Sequence, residues 1–143
     1  PDKERLQSLA QQLGIAQHLQ FMGPCYGADK WQALQGLDIL VQASRNEGLP
    51  GAVLEAAASK VPAIVSMESN MGDYVTQYEA GLCLPHNDAP QIAKALCKLV
   101  GTWHTGELAR MRQNALNMVQ TEFSWTYIAQ RLAQQYENVM QPC

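Results

Sequence analysis

At 143 residues the chain has the length of one domain, and a domain of this size buries about 68–70% of the surface its unfolded chain exposes, with no need of staples. Apolar residues make up 47% and charged residues 16%, the balance of an ordinary globular protein low in charge, and glutamine keeps many helical faces polar. A net charge of −3 with no basic stripe argues against a nucleic-acid partner, no apolar run of membrane-spanning length occurs, and no signal-peptide pattern opens the sequence.

Residues 2–14 read as a helix with Leu6, Leu9, Ala10 and Leu13 on one face and Gly14 as its stop. His18 to Met22 is a short apolar run, expected as a first strand and ended by Gly23-Pro24. A short helix over 29–35 closes at Gly36, and Asp38 to Gln42 reads as a buried strand. A loop over 43–50 leads into a helix from Pro50 to Ser59. Pro62 to Ser66 is the next buried strand, 71–79 the next helix, and Leu82-Cys83-Leu84 a fourth strand stopped by Pro85. Asp88 heads a helix to Val100 as its cap, with Pro90 in the first turn. Two amphipathic helices follow, roughly 105–120 and 124–139, with Thr105 and Ser124 as expected caps.

Strands alternating with helices imply an α/β fold, a Rossmann-like doubly wound parallel sheet with right-handed crossovers, over a single domain of residues 1–143. Ligands of such sheets bind beyond the carboxyl ends of the strands. The loops 23–28, 43–50, 66–72 and 85–88 are placed on that edge, and they hold most of the Gly, Pro, Asn and Asp of the first two-thirds of the chain.

Four cysteines occur, Cys25, Cys83, Cys97 and Cys143, without a Cys-x-x-Cys pair, and His18, His86 and His104 lack zinc-ligand spacing. Cys83 and Cys97 are expected in the core, Cys25 in a loop and Cys143 in the tail, all as free thiols of a reducing cytoplasm. The three histidines read as structural, and Trp31, Trp103 and Trp125 as core or inter-helix residues.

The most informative stretch is Ser44-Arg45-Asn46-Glu47-Gly48-Leu49-Pro50-Gly51-Ala52-Val53-Leu54-Glu55-Ala56. Glu55 lies in a helix apolar on nearly every face, where a lone carboxylate must find a partner. Glu47 stands before a Gly-Leu-Pro-Gly turn at which a helix offers free backbone amides. Two carboxylates with amides between them form a grip suited to a sugar nucleotide. Without a ligand, Glu47 reads as a solvated carboxylate near a helix N-terminus, an effect of about 0.3–1 kcal/mol, and Glu55 as an ion pair with Arg45 or Lys60. Arg45 itself reads as a surface ion-pair residue rather than a phosphate ligand.

Glu47 through Glu55, followed by Ala-Ala-Ala-Ser-Lys-Val-Pro-Ala-Ile-Val-Ser, resembles the Glu-x7-Glu signature of retaining group 1 glycosyltransferases of the family-4 type. Its flanks fit in the family's order: Phe21-Met22-Gly23, Gly36 to Ser44, Asn70 to Val75, Ala80 to Asp88 and Phe123-Ser124-Trp125. The resemblance runs from about residue 3 to residue 140. It implies the C-terminal, donor-binding lobe of a two-lobed GT-B enzyme. The family's first strands, with an Arg and a Lys on the donor diphosphate, and the N-terminal acceptor lobe are not in this sequence. The chain is therefore expected to be a part of an enzyme, inactive alone.

By the same resemblance, Glu47 is the catalytic residue, accepting from hydroxyls of the donor sugar, and Glu55 accepts from the ribose hydroxyls. Gly48, Leu49, Pro50, Gly51 and Ala52 form the phosphate and sugar turn, with amides from Leu49, Gly51 and Ala52, since Pro50 has none to give. Cys25 and Tyr26 line the nucleobase, mainly through backbone, although a loop tyrosine is as often packing. The implied partners are a nucleotide-diphosphate sugar and, through the missing lobe, a glycan or lipid-linked acceptor, in cell-surface polysaccharide or lipopolysaccharide biosynthesis. No metal or other cofactor is implied. The location is cytoplasmic, with room for peripheral association of the full enzyme at the inner face of the membrane. A non-catalytic nucleotide- or partner-binding α/β module, or a GT-B sugar-nucleotide epimerase, is the alternative. Two positions depart from the family pattern: Asp73 stands for a usual glutamate, with little consequence, and Lys60 for a usual glycine, where a left-handed backbone is expected.

Overall fold

The computed structural model describes residues 2–140. The chain divides into two compact units, with the division between Lys30 and Trp31.

In the first unit, helix α1 (Lys3–Gln12) buries Ala10 and leaves Leu6, Leu9 and Leu13 exposed. Gly14, at φ 68°, takes the left-handed position past its end. The Gly14 amide donates to the Gln11 carbonyl and the Ile15 amide to the Ala10 carbonyl, both at 3.0 Å, the paired bonds that close a helix. A single 3-10 turn, Ala16–His18, follows. The expected strand over 18–22 does not form. Leu19 is extended (φ −116°, ψ 132°), yet the run enters no ladder, and Leu19, Phe21 and Met22 stay exposed. An apolar run becomes a strand only where a neighbour takes its backbone groups, so composition alone misled here.

Helix α2 (Gly27–Gln35) crosses the division. The second unit then builds one parallel sheet from β1 (Leu40–Gln42), β2 (Ala63–Ser66) and β3 (Gly81–Leu84), in that order, three strands among the described residues where four were expected. Between them run α3 (Gly51–Ala58) and α4 (Gly72–Gln77), and after them α5 (Ala89–Gly101), α6 (Glu107–Glu122) and α7 (Trp125–Met140).

Alternation along β2 divides the core in two. Ala63 and Val65 pack with Val53 and Ala57 of α3, Met71 and Val75 at α4, and Ala115 and Met118 of α6. Ile64 faces the other side, with Leu84, Ala95 and Leu99 of α5 and Met111 of α6. All four residues of β2 are buried, as a strand covered by helices on both faces must be. The doubly wound α/β reading holds. Gly81 makes close strand pairing possible, since a Cβ there would lie 1.9 Å from the Ala63 carbonyl oxygen.

Two helices end on left-handed residues that are not glycine: Lys60 after α3 (φ 61°) and Glu79 after α4 (φ 51°). Val61 N–H donates to the Ala56 carbonyl at 2.9 Å and Lys60 N–H to Ala57 at 3.0 Å. Ala80 N–H donates to Val75 at 2.9 Å and Glu79 N–H to Thr76 at 3.1 Å. The two crossovers thus use one C-terminal motif, and the left-handed backbone expected at Lys60 is present. Helix α6 holds the sheet's entry points: Arg110 pairs with Glu79, Asn114 Nδ2 donates to the Glu79 carbonyl at 3.3 Å, and Arg112 Nη2 donates to Asp38 Oδ1 at 2.6 Å.

Asp88 caps α5 as expected, its Oδ1 accepting from Gln91 N–H at 2.8 Å, with Pro90 in the first turn. Ser124 Oγ likewise accepts from Tyr127 N–H at 3.2 Å at the start of α7. Thr105 is not the cap of α6; left-handed Gly106 is, with Thr105 Oγ1 accepting from Glu107 N–H at 3.4 Å. The tryptophans are not core residues: all three are exposed, Trp125 at 86%. Cys97 is exposed on α5 and Cys83 only half-buried, against the core positions expected. Cys25, Cys83 and Cys97 are free thiols, whereas Cys143 lies outside the described residues.

Candidate functional site

The loop between β1 and α3 leaves the carboxyl edge of the sheet and is fastened by side chains from the neighbouring strand ends. Ser66, the last residue of β2, donates its Oγ to the Ser44 carbonyl at 2.5 Å. Asn70, left-handed at φ 57°, donates its Nδ2 to the Glu47 carbonyl at 2.6 Å and to the Gly48 carbonyl at 3.1 Å. Asn87, beyond β3, donates its Nδ2 to the Ala43 carbonyl at 3.0 Å. Carbonyls that the loop cannot pair within itself are thus satisfied from outside it, which fixes its course.

Within this loop the half-buried Glu47 side chain turns back toward the strand end. Its Oε1 accepts from Ser44 Oγ at 2.9 Å and from Gln42 Nε2 at 3.1 Å. Gln42 Nε2 also donates to Ser44 Oγ at 2.8 Å. A carboxylate held this way has given up rotamer freedom before any ligand arrives, which lowers the ordering cost of binding.

Pro50 is buried and extended (ψ 96°), and α3 begins at Gly51 without a side-chain cap. The amides of Val53 and Leu54 reach the Pro50 carbonyl. Those of Gly51 and Ala52 have no acceptor among the described residues, the usual orphan donors of a helix start. Leu49 is 58% exposed. Gly48 and Gly51 have neither a left-handed φ nor any atom within 4 Å of where a Cβ would sit. Neither glycine is required by the fold.

Glu55 is the fifth residue of α3 and half-buried. The helix is not apolar all round as expected: Ala52 and Ala58 are exposed, and the buried face is Val53, Ala56 and Ala57. Glu55 therefore lies beside the core rather than within it. Its Cα stands about 6 Å of helix axis from Gly51, and helix side chains in general lean toward the N-terminus.

Glu47, Gly48, Leu49, Pro50, Gly51, Ala52 and Glu55 thus lie on one continuous loop-to-helix segment in the second unit. Cys25 and Tyr26 belong to the first, Cys25 half-buried and Tyr26 78% exposed. Sequence reading overlooked Gln42, Ser66, Asn70 and Asn87 as supports of this site. A signal existed for two of them: Gln42 is the polar end of an otherwise apolar strand, and asparagine is, after glycine, the residue that best accepts a left-handed backbone. On the neighbouring strand, burial raises the Cys83 thiol above its ordinary pKa, helped by the negative charges of Asp73 and Glu68, so this thiol is a poor nucleophile.

Known proteins resemble this arrangement. The chain is 31% identical over 102 residues to an exopolysaccharide phosphotransferase of Streptomyces coelicolor, a match covering 71% of this chain and 11% of that protein. It is 29% identical over 136 residues to a D-inositol 3-phosphate glycosyltransferase of Stackebrandtia nassauensis, covering 95% of this chain and 30% of that protein. The chain therefore spans under a third of either relative. Among solved structures, the C-terminal domain of LpcC, a glycosyl transferase group 1 family protein of Francisella tularensis, superposes with a TM-score of 0.74 at 26% identity, over 86% of this chain and 63% of that one. The family description "Glycosyl transferases group 1" matches residues 1–118. With a parallel sheet covered on both faces and a fastened Glu47 loop at its carboxyl edge, the chain belongs to the group 1 glycosyl transferases, in the GT-B fold.

Proposed function

We propose that the chain is the donor-binding part of a retaining glycosyltransferase. It moves a sugar from a nucleotide-diphosphate sugar to a glycan or lipid-linked acceptor held by another lobe. Glu47 accepts from hydroxyls of the donor sugar. The amides of Leu49, Gly51 and Ala52 take sugar and phosphate oxygens, and Glu55 takes the ribose hydroxyls; Cys25 and Tyr26 of the first unit are assigned to the base by the family resemblance alone. The observation that carries this reading is the loop-to-helix segment itself: an oriented carboxylate, two amides without an acceptor among the described residues, and two glycines that open onto empty space. Glycines that the fold does not require are accounted for by a ligand that must approach the backbone closely.

In the transfer, the bond from the sugar's anomeric carbon to the diphosphate breaks, and a bond to the acceptor oxygen forms on the same face. The acceptor's proton passes to the departing phosphate oxygen. The protein's part is to stabilise the growing negative charge of that diphosphate with fixed N–H dipoles at a helix start. No resident cofactor or metal ion is assigned to this lobe. The proposed role is in cell-surface polysaccharide or lipopolysaccharide assembly at the cytoplasmic face of the membrane, and the exopolysaccharide relative supports its polysaccharide part. No described helix is long and apolar enough to cross a membrane; peripheral association of the full enzyme with the membrane is part of the proposal.

Glu55→Ala tests the assignment. Each hydrogen bond to a charged group contributes roughly 1.5–3 kcal/mol, so losing even one ribose contact weakens nucleoside diphosphate binding by about 10- to 100-fold, and losing both weakens it more. Calorimetry on the full-length enzyme reads this directly, and an unchanged affinity removes Glu55 from the nucleotide site.

A further inference from the structure

The side chains around Glu47 make its two carboxylate oxygens unequal. Oε1 accepts from both Ser44 Oγ and Gln42 Nε2, while Oε2 takes no donor among the described residues. The polarity of this ring follows from the charge of Glu47, which accepts. The Gln42 amide nitrogen donates to both Ser44 Oγ and Glu47 Oε1, and the single Ser44 hydroxyl hydrogen goes to Glu47. The reversed amide would set the Gln42 carbonyl against a carboxylate, and like poles repel. Ser66 fastens the ring to β2 through the Ser44 carbonyl.

We infer that Gln42 and Ser44 are positioning residues for the sugar-binding carboxylate: together they saturate one oxygen of Glu47 and leave the other as the sole acceptor for a donor-sugar hydroxyl. This rests on the proposed reading of Glu47. It also gives Glu47→Gln a defined effect. The ring keeps its acceptor by turning the new amide oxygen inward, so an N–H donor replaces the open oxygen, and a hydroxyl that formerly donated loses its partner.

The test uses the full-length enzyme with UDP-, GDP- and ADP-sugars, following sugar transfer, and calorimetry with UDP, GDP and ADP. Ser44→Ala and Gln42→Met should each lower kcat about 10- to 100-fold, the loss that follows misplacement of a group near the reacting atoms. Their affinity for the nucleoside diphosphate should stay parental, and Ser44→Thr, which restores a hydroxyl, should recover most of the turnover. Ser44→Ala added to Glu47→Gln should cost nothing further, since the residues act as one unit. Parental turnover in both Ser44→Ala and Gln42→Met, with Glu47→Gln slow, overturns the positioning role alone. Equal losses of nucleotide affinity and turnover also overturn it, because they mark a structural role. Parental turnover in Glu47→Gln, or no sugar nucleotide turned over by the parent, overturns the donor reading and this inference with it. Melting curves identify a variant that fails to fold, and the two separate positions keep the test decisive.

Discussion

Gly81 and the pair Gly48 and Gly51 illustrate two reasons for a glycine. At Gly81 an added methyl meets the Ala63 backbone, which cannot give way without parting β2 from β3. Gly81→Ala should therefore destabilise the protein by on the order of 3 kcal/mol, read as a lowered denaturant midpoint. Gly48→Ala and Gly51→Ala meet no atom, so stability should change by about 0.5 kcal/mol or less at Gly48, while nucleotide affinity falls at either site. Unchanged affinity in both alanine variants would leave these glycines without a ligand role. The sequence pointed to Gly48 and Gly51 through the spacing of Glu47 and Glu55, which is local. It could not point to the grip of Gln42 or Asn70 on that loop. Asn70 reaches the Glu47 carbonyl only because β1 and β2 lie side by side in one register, and register is a property of the folded sheet.

Among the elements, α3 and α4 end in the same way with different residues, and this allows a controlled comparison. Both Lys60 and Glu79 hold a left-handed backbone, a strain on the order of 1 kcal/mol for a side chain other than glycine. Lys60→Gly relieves it against an unfolded-state entropy loss of about 0.4–1 kcal/mol, so its melting temperature should be equal or higher. Glu79→Gly relieves the same strain but also loses the pair with Arg110, an exposed ion pair of about 0–1 kcal/mol, and should melt below Lys60→Gly. A clear loss of melting temperature in Lys60→Gly would show that the lysine is held there by something other than tolerance. Most elements were legible because turns and caps are short-range: Asp88, Pro90 and Ser124 stand where their chemistry places them. What was misread depended on a distant surface. The run over 18–22 has strand composition without a ladder, whereas α7 forms as expected and only the core placement of its Trp125 fails.

For the molecule as a whole, the proposal places the diphosphate's basic partners and the acceptor outside this chain. The isolated chain should then bind nucleoside diphosphates only at millimolar concentration, roughly −4 kcal/mol, and should transfer no sugar. Sustained glycosyl transfer by these residues alone, measured by product formation from a labelled sugar nucleotide, would show that the lobe is sufficient.

The sheet is also held differently at its two ends. Where the strands begin, α6 grips Asp38 and Glu79 by charge and the Glu79 backbone through Asn114. Where they finish, serine and asparagine side chains pin carbonyls of a loop that carries Glu47. One end is an anchorage and the other a tool rest. On the proposed reading, changes on the polar face of α6 can drift with little effect on the chemistry, while the loop between β1 and α3 can be refitted to another sugar without unseating the strands behind it.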